Sequence, residues 1–73
     1  MYQLPVVIEK DEDGYYAYCP ALEGCHTQGD TYEEVLINIR EAISLYVSTL
    51  SPEEKEQILK TNMTAMLVGV PVA

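Results

Sequence analysis

Tryptophan and phenylalanine are both absent from this sequence, and only Lys10, Arg40, Lys55 and Lys60 carry a positive charge. Any core must therefore be built from aliphatic side chains and tyrosine. Twelve Asp and Glu against four Lys and Arg leave a net charge of −8. Nucleic-acid binding draws most of its affinity from neutralising phosphates, so direct binding to DNA or RNA is not expected, nor is attraction to an anionic membrane. A basic partner, by contrast, would be steered towards such a field, although surplus carboxylates also keep a small protein soluble.

Cysteine and glycine are sparse as well. Cys19, Cys25 and His26 fall short of a four-ligand zinc pattern, and in a reducing compartment the two cysteines remain thiols, even though a short hairpin could bring them face to face. Gly14, Gly24, Gly29 and Gly69 are scattered singly, as turn and bulge residues are, and make no phosphate-binding loop. The N-terminus has no basic region followed by an apolar one, so no signal peptide is expected. No apolar run reaches the length that spans a bilayer. The cytoplasm is the expected location.

What is present is enough for one domain over 1–73. Hydrophobic residues make up 48% of the 73 positions, too many for a disordered chain. A chain this short buries only about 60% of its unfolded surface. With neither disulfide nor metal supported, self-association into a homodimer or tetramer is the expected source of extra stability.

Leu4, Val6 and Ile8 alternate with Gln3, Pro5, Val7 and Glu9, which predicts a first strand with one buried face. Lys10 to Gly14 form a charged turn whose Asp13-Gly14 pair suits a hairpin. Tyr15 to Cys19 predict a second strand, and Cys25 to Gln28 a short third one ending at Gly29. Thr31 with Glu34, or Asp30 with Glu33, supplies a capping box. From there Val35, Leu36, Ile39, Ala42, Ile43, Tyr46 and Val47 form one apolar stripe to about residue 49, with Glu34, Asn38 and Glu41 facing outward. Ser51-Pro52-Glu53-Glu54 starts a second helix over 52–60, anchored by Ile58 and Leu59. Met66, Val68, Val70 and Val72 alternate in a charge-free segment that predicts a last strand.

The expected architecture is α+β in the order β-β-β-α-α-β. A right-handed helical crossover would lay the fourth strand beside and parallel to the first, giving a four-stranded mixed sheet of order 3-2-1-4 with the long helix on one face. One face of such a sheet stays largely uncovered, and on the second strand it shows either Tyr16 and Tyr18 or Tyr15, Ala17 and Cys19. Tyrosine suits a surface that is half apolar and half wet.

The same chain order belongs to ribonuclease H-like cores, whose two-metal chemistry needs carboxylates converging from neighbouring strands. Here the first strand offers only Glu9 and the last none, while Asp11, Glu12 and Asp13 read as a solvated turn. Cys25 and His26 are strand neighbours and point to opposite faces. A Cys19–His26 contact across the hairpin would lack a third residue to orient the imidazole. No catalytic, metal-binding or cofactor-binding residues are assigned, and no enzymatic activity is expected.

The run from Asp13 to Thr31, DGYYAYCPALEGCHTQGDT, followed by Glu33-Glu34 and Asn38-Ile39-Arg40-Glu41-Ala42-Ile43, resembles the HicB family of antitoxins. The resemblance rests on a Gly-aromatic strand, a P-x-L-x-G-C turn, a T-x-G-D-T link into the helix and an N-I-R-E-A-I helix core, over roughly residues 2 to 50. It implies a degenerate ribonuclease H-like fold without the nuclease carboxylates. It also implies a type II toxin–antitoxin role, in which a small basic HicA-like mRNA interferase is neutralised by direct protein binding. Competition between an acidic antitoxin and RNA for a basic toxin is physically sensible. Tyr16, Tyr18, Glu23, Asp30, Glu33, Glu34 and Glu41 are the candidate contact residues. Many family members carry a further C-terminal DNA-binding domain that is not expected here. The alternative is a homo-oligomeric structural or ligand-binding domain with no active toxin partner.

Overall fold

The structure, a computed structural model, describes residues 3–60 and 66–72. Three strands, β1 (Val7–Asp11), β2 (Gly14–Tyr18) and β3 (His26–Gly29), precede two helices, α1 (Tyr32–Ser48) and α2 (Pro52–Lys60). The strands pair antiparallel in the order β1-β2-β3. The expected α+β class holds.

The first hairpin is tighter than the sequence suggested, because pairing continues through Lys10 and Asp11 to Gly14. Only Glu12 and Asp13 remain as the turn. The Asp11 carboxylate accepts the Asp13 N–H at 2.8 Å, an Asx-type bond that fixes the reversal locally. Gly14 follows with φ +137°, a conformation open to glycine. Between β2 and β3 the chain makes a compact loop. Within it Leu22 N–H donates to Cys19 O, Cys25 N–H to Leu22 O and Cys19 N–H to Cys25 O, each at 3.0 Å. Leu22 is thereby driven into the core at 2% exposure.

Both helix starts behave as the local sequence dictates. Thr31, in extended conformation, caps α1 by accepting the Glu34 N–H at 3.1 Å. At α2, Ser51 Oγ accepts the Glu54 N–H at 3.1 Å while the Glu54 carboxylate accepts the Ser51 N–H at 2.9 Å. Val35 and Ile39 on α1 close over Ala17, Cys19, Leu22 and Cys25 as the buried centre, with Ala42, Ile43, Tyr46 and Val47 around it. Ile58 anchors α2 to this core. Leu59, expected beside it, is 55% exposed instead.

Among the described residues the expected fourth strand is not formed. Part of that segment, 61–65, lies outside the described residues. Residues 66–72 are exposed and have no strand pairing. The described sheet therefore has three strands, all antiparallel, not four in a mixed order. Alternation made the segment competent to be a strand, but a strand exists only where a neighbour supplies the ladder.

The Cys19–Cys25 main-chain bond also fixes the parity of the whole sheet. Main-chain groups alternate in direction along a strand, so Tyr15 and Ala17 bond towards β3, while Tyr16 and Tyr18 bond towards their β1 partners Glu9 and Val7. On β1 this leaves Ile8 and Lys10 directed at a free edge. On β3 the outer edge carries the carbonyl of Gln28, and there Asn38 of α1 donates its Nδ2 at 2.9 Å. Asn38 was expected to face solvent. It is drawn inward because an edge carbonyl beside α1 needs a donor.

Candidate partner-binding face

Helix α1 packs on the side of the sheet that carries Tyr15, Ala17 and Cys19, which resolves which tyrosine row is covered. Tyr16 and Tyr18 point the other way, and the strand registers place Val7, Glu9, His26 and Gln28 on the same side. No described element covers this face. Tyr16 is its centre: its ring lies 5.9 Å from that of Tyr18 and 5.8 Å from that of His26, both tilted. With 40% of Tyr16 exposed, the cluster is an apolar surface with polar tips, the mix that protein interfaces favour.

The cysteine–histidine contact considered from the sequence does not form. His26 pairs with Tyr18 and stacks on Tyr16, whereas Cys19 and Cys25 are buried on the opposite side as free thiols. Burial pushes both thiols up from their ordinary value, Cys25 further through the neighbouring Cys19. Main-chain N–H groups of Ala21 and Leu22 partly offset the effect at Cys19.

Two depressions flank Tyr16. One, of about 320 Å³, is bordered by Tyr16, Tyr18, Glu23 and His26. The other, of about 550 Å³, is bordered by Tyr16 together with Asp11, Asp13, Asp30 and Glu34. The basic side chains lie elsewhere. Lys10 stands over the Tyr15 ring at 5.9 Å on the helix side, Arg40 is on α1, and Lys55 and Lys60 are on α2. The aromatic face is thus rimmed by carboxylates without intervening cations.

A family model described as the HicB-like antitoxin of bacterial toxin–antitoxin systems matches residues 4–71. The chain belongs to this family. A UPF0150 protein of Helicobacter pylori strain J99 is 54% identical over 67 residues, 92% of this chain and 93% of the relative. A second, from Synechocystis, is 52% identical over 56 residues, covering 75% of this chain and 71% of the relative. A third, from Thermoplasma acidophilum, is 50% identical over 64 residues, covering 86% and 91%. No solved structure matches the chain.

Within this HicB-like domain the seven sequence-nominated residues fall into three groups. Tyr16, Tyr18 and Glu23 come together on the open face. Asp30 and Glu34 meet the hairpin tip beside Tyr16, with Glu33 one position away in the first turn of α1. Glu41 stands apart, exposed two turns further along α1. Sequence reasoning passed over His26, Asp11 and Asp13. His26 was legible in principle, because its position opposite Tyr18 follows once the second hairpin is closed at Cys19 and Cys25. Asp11 and Asp13 read as solvated turn residues, and only the register shows them sharing a rim with Asp30 and Glu34. Among the described residues no three His, Cys, Asp or Glu side chains converge as metal ligands, and no helix is long and apolar enough to cross a membrane.

Proposed function

We propose that this HicB-like domain neutralises a small, basic HicA-like mRNA interferase by binding it through the open sheet face. The reading is carried by one observation: an uncovered cluster of Tyr16, Tyr18 and His26 rimmed by Glu23, Asp30 and Glu34, in a chain that belongs to an antitoxin family. The aromatic rings supply contact area at low entropic cost. The carboxylates answer the cationic surface that a toxin presents to RNA, and set the approach and the specificity. Glu33 lies next to this rim, and Glu41 extends the acidic stripe along α1. The domain acts by occlusion, without catalysis, in the cytoplasm, and touches neither nucleic acid nor membrane itself.

In the same reading the domain self-associates, and the charge-free segment 66–72 provides a fourth strand beside β1, extending the sheet to the order 3-2-1-4. The free edge at Ile8 and Lys10 is the support for that placement.

The test is co-purification with a HicA-like toxin, followed by a ribonuclease assay. A salt-sensitive complex with suppressed activity is expected, and Tyr16→Ala combined with Tyr18→Ala should weaken it by about tenfold or more. A toxin that stays active in excess antitoxin would overturn the reading.

A further inference from the structure

We infer that the segment Met66–Val72 of one chain docks as a strand on the free β1 edge of a second copy, antiparallel to it, with its valine row running on into the groove between α1 and residues 3–6, which lead into β1. The inference rests on the fourth strand proposed above and names its donor and direction.

Two complementary surfaces lie bare among the described residues. The first is the β1 edge, where Ile8 and Lys10 direct unpaired main-chain groups outward. Beside it runs an open groove of about 780 Å³ whose apolar lining includes Leu4, Val6, Leu36, Ile39, Ile43 and Val47. The second is the segment itself: Met66 is 75%, Leu67 101%, Val68 68% and Val72 91% exposed. On the other sheet edge Asn38 of α1 already occupies the outward carbonyl of Gln28, so β1 is the edge more open to strand addition.

Pro71 sets the orientation. It has no N–H, so it must face away from the strand that the segment joins. Alternation then turns Leu67, Gly69 and Pro71 outward and leaves Met66, Val68, Val70 and Val72 to exchange main-chain bonds with β1. The edge-facing residues of β1, Ile8 among them, carry their side chains on the α1 side of the sheet. In an antiparallel pair, residues that exchange main-chain bonds lie opposite one another with side chains on the same face. The row Met66, Val68, Val70 and Val72 therefore enters the groove. A parallel strand, the direction expected from the sequence, would present Leu67, Gly69 and Pro71 to the groove, a row that can fill little of it. The antiparallel direction is the one in which hydrogen bonding and packing agree.

Charge selects these two surfaces for contact between copies. Two chains of net charge −8 repel, so they can approach only through surfaces free of like charge. All sixteen charged residues precede position 61, and Arg40 is the only charged side chain lining the groove. Segment and groove are the pair of surfaces that meet without apposing carboxylates. A reciprocal exchange gives each small core the apolar cover that its own chain leaves undone.

The test uses the full-length chain without toxin, so its outcome is independent of the toxin-binding reading. Sedimentation equilibrium should give twice the chain mass, and the Ile8 and Lys10 amides should be protected from hydrogen exchange. Val68→Pro removes a β1-facing N–H; it should weaken the dimer by about tenfold or more and expose both amides. Leu67→Pro removes an outward N–H and should leave the dimer in place. A monomeric wild-type chain overturns the inference, whether the edge is bare or filled by the chain's own segment. So does a dimer unaffected by Val68→Pro, as expected if two β1 edges pair with each other, or an equal response to both prolines.

Discussion

Asn38 in the middle of α1 donates its side-chain amide to the main-chain oxygen of Gln28 at 2.9 Å, and that bond ties the outer edge of β3 to the helix. The edge carbonyl would otherwise turn to water beside a helix that already crowds it. Asn38→Ala should therefore cost about 1 kcal/mol, lowering the melting temperature by about 4–8 °C in a domain this size. Thermal unfolding followed by circular dichroism checks it. An unchanged midpoint would mean that water replaces the side chain without loss.

The junction of β3 and α1 allows a stronger prediction. A Cβ added at Gly29 would stand 2.7 Å from the Val35 nitrogen and 3.0 Å from its Cα. Those are main-chain atoms of the first helical turns and cannot swing aside. Gly29→Ala should force β3 and α1 apart at about 1–3 kcal/mol. Gly24→Ala has open space around it, and its cost comes only from the φ of +79°, about 1 kcal/mol. Urea midpoints of the two variants should rank accordingly.

The order of the first five elements, the two helix starts and most of the α1 apolar stripe were legible from the sequence, because each rests on interactions within a few residues. Thr31 with Glu34 and Ser51 with Glu54 are three residues apart, and side-chain period alone marks Val35, Ile39 and Ile43 as inward. What escaped depends on partners distant in sequence. Period two separates Tyr16 and Tyr18 from Tyr15 and Ala17, yet says nothing of which row α1 will cover. Asn38 faces inward because of a carbonyl ten positions away. Asp11 joins a strand because Gly14 pairs with it, and only that register brings Asp11 and Asp13 to the rim shared by Asp30 and Glu34. Residues 66–72 have the alternation of a strand but lack a neighbour within the described chain.

Glu54 makes the start of α2 acid-sensitive. Bonds from the Ser51 main-chain N–H and hydroxyl hold its carboxyl below the ordinary carboxylate value. A group whose folded pKa is depressed favours the fold above its unfolded pKa and loses that contribution as the pH falls through the folded one. Helix α2 should therefore fray at its first turn as the pH drops below the ordinary carboxylate range. The Ser51 amide resonance is the probe: it should titrate with a midpoint below that of a free glutamate. In Glu54→Gln this titration should vanish.

Cys19 and Cys25 should behave as buried structural thiols, although they face each other across the β2–β3 junction. Their main chains are joined directly by the 3.0 Å bond from Cys19 N–H to Cys25 O, and their side chains lie in the core at 2% and 6% exposure. Burial raises both thiols above their ordinary value, which lowers the thiolate fraction on which reactivity depends. Alkylation of the native chain at neutral pH should be slow and similar at both residues, and should accelerate sharply in urea. The linkage runs the same way. The unfolded chain ionises its thiols at lower pH than the folded one, so the folded state binds more protons as the pH climbs through and past the ordinary thiol range. Stability should fall there, and a lower urea midpoint at alkaline pH than at neutral pH is expected. Fast, selective labelling of one cysteine in the native chain at neutral pH would show that its thiol is neither buried nor suppressed, and would reopen nucleophilic chemistry at the β2–β3 junction.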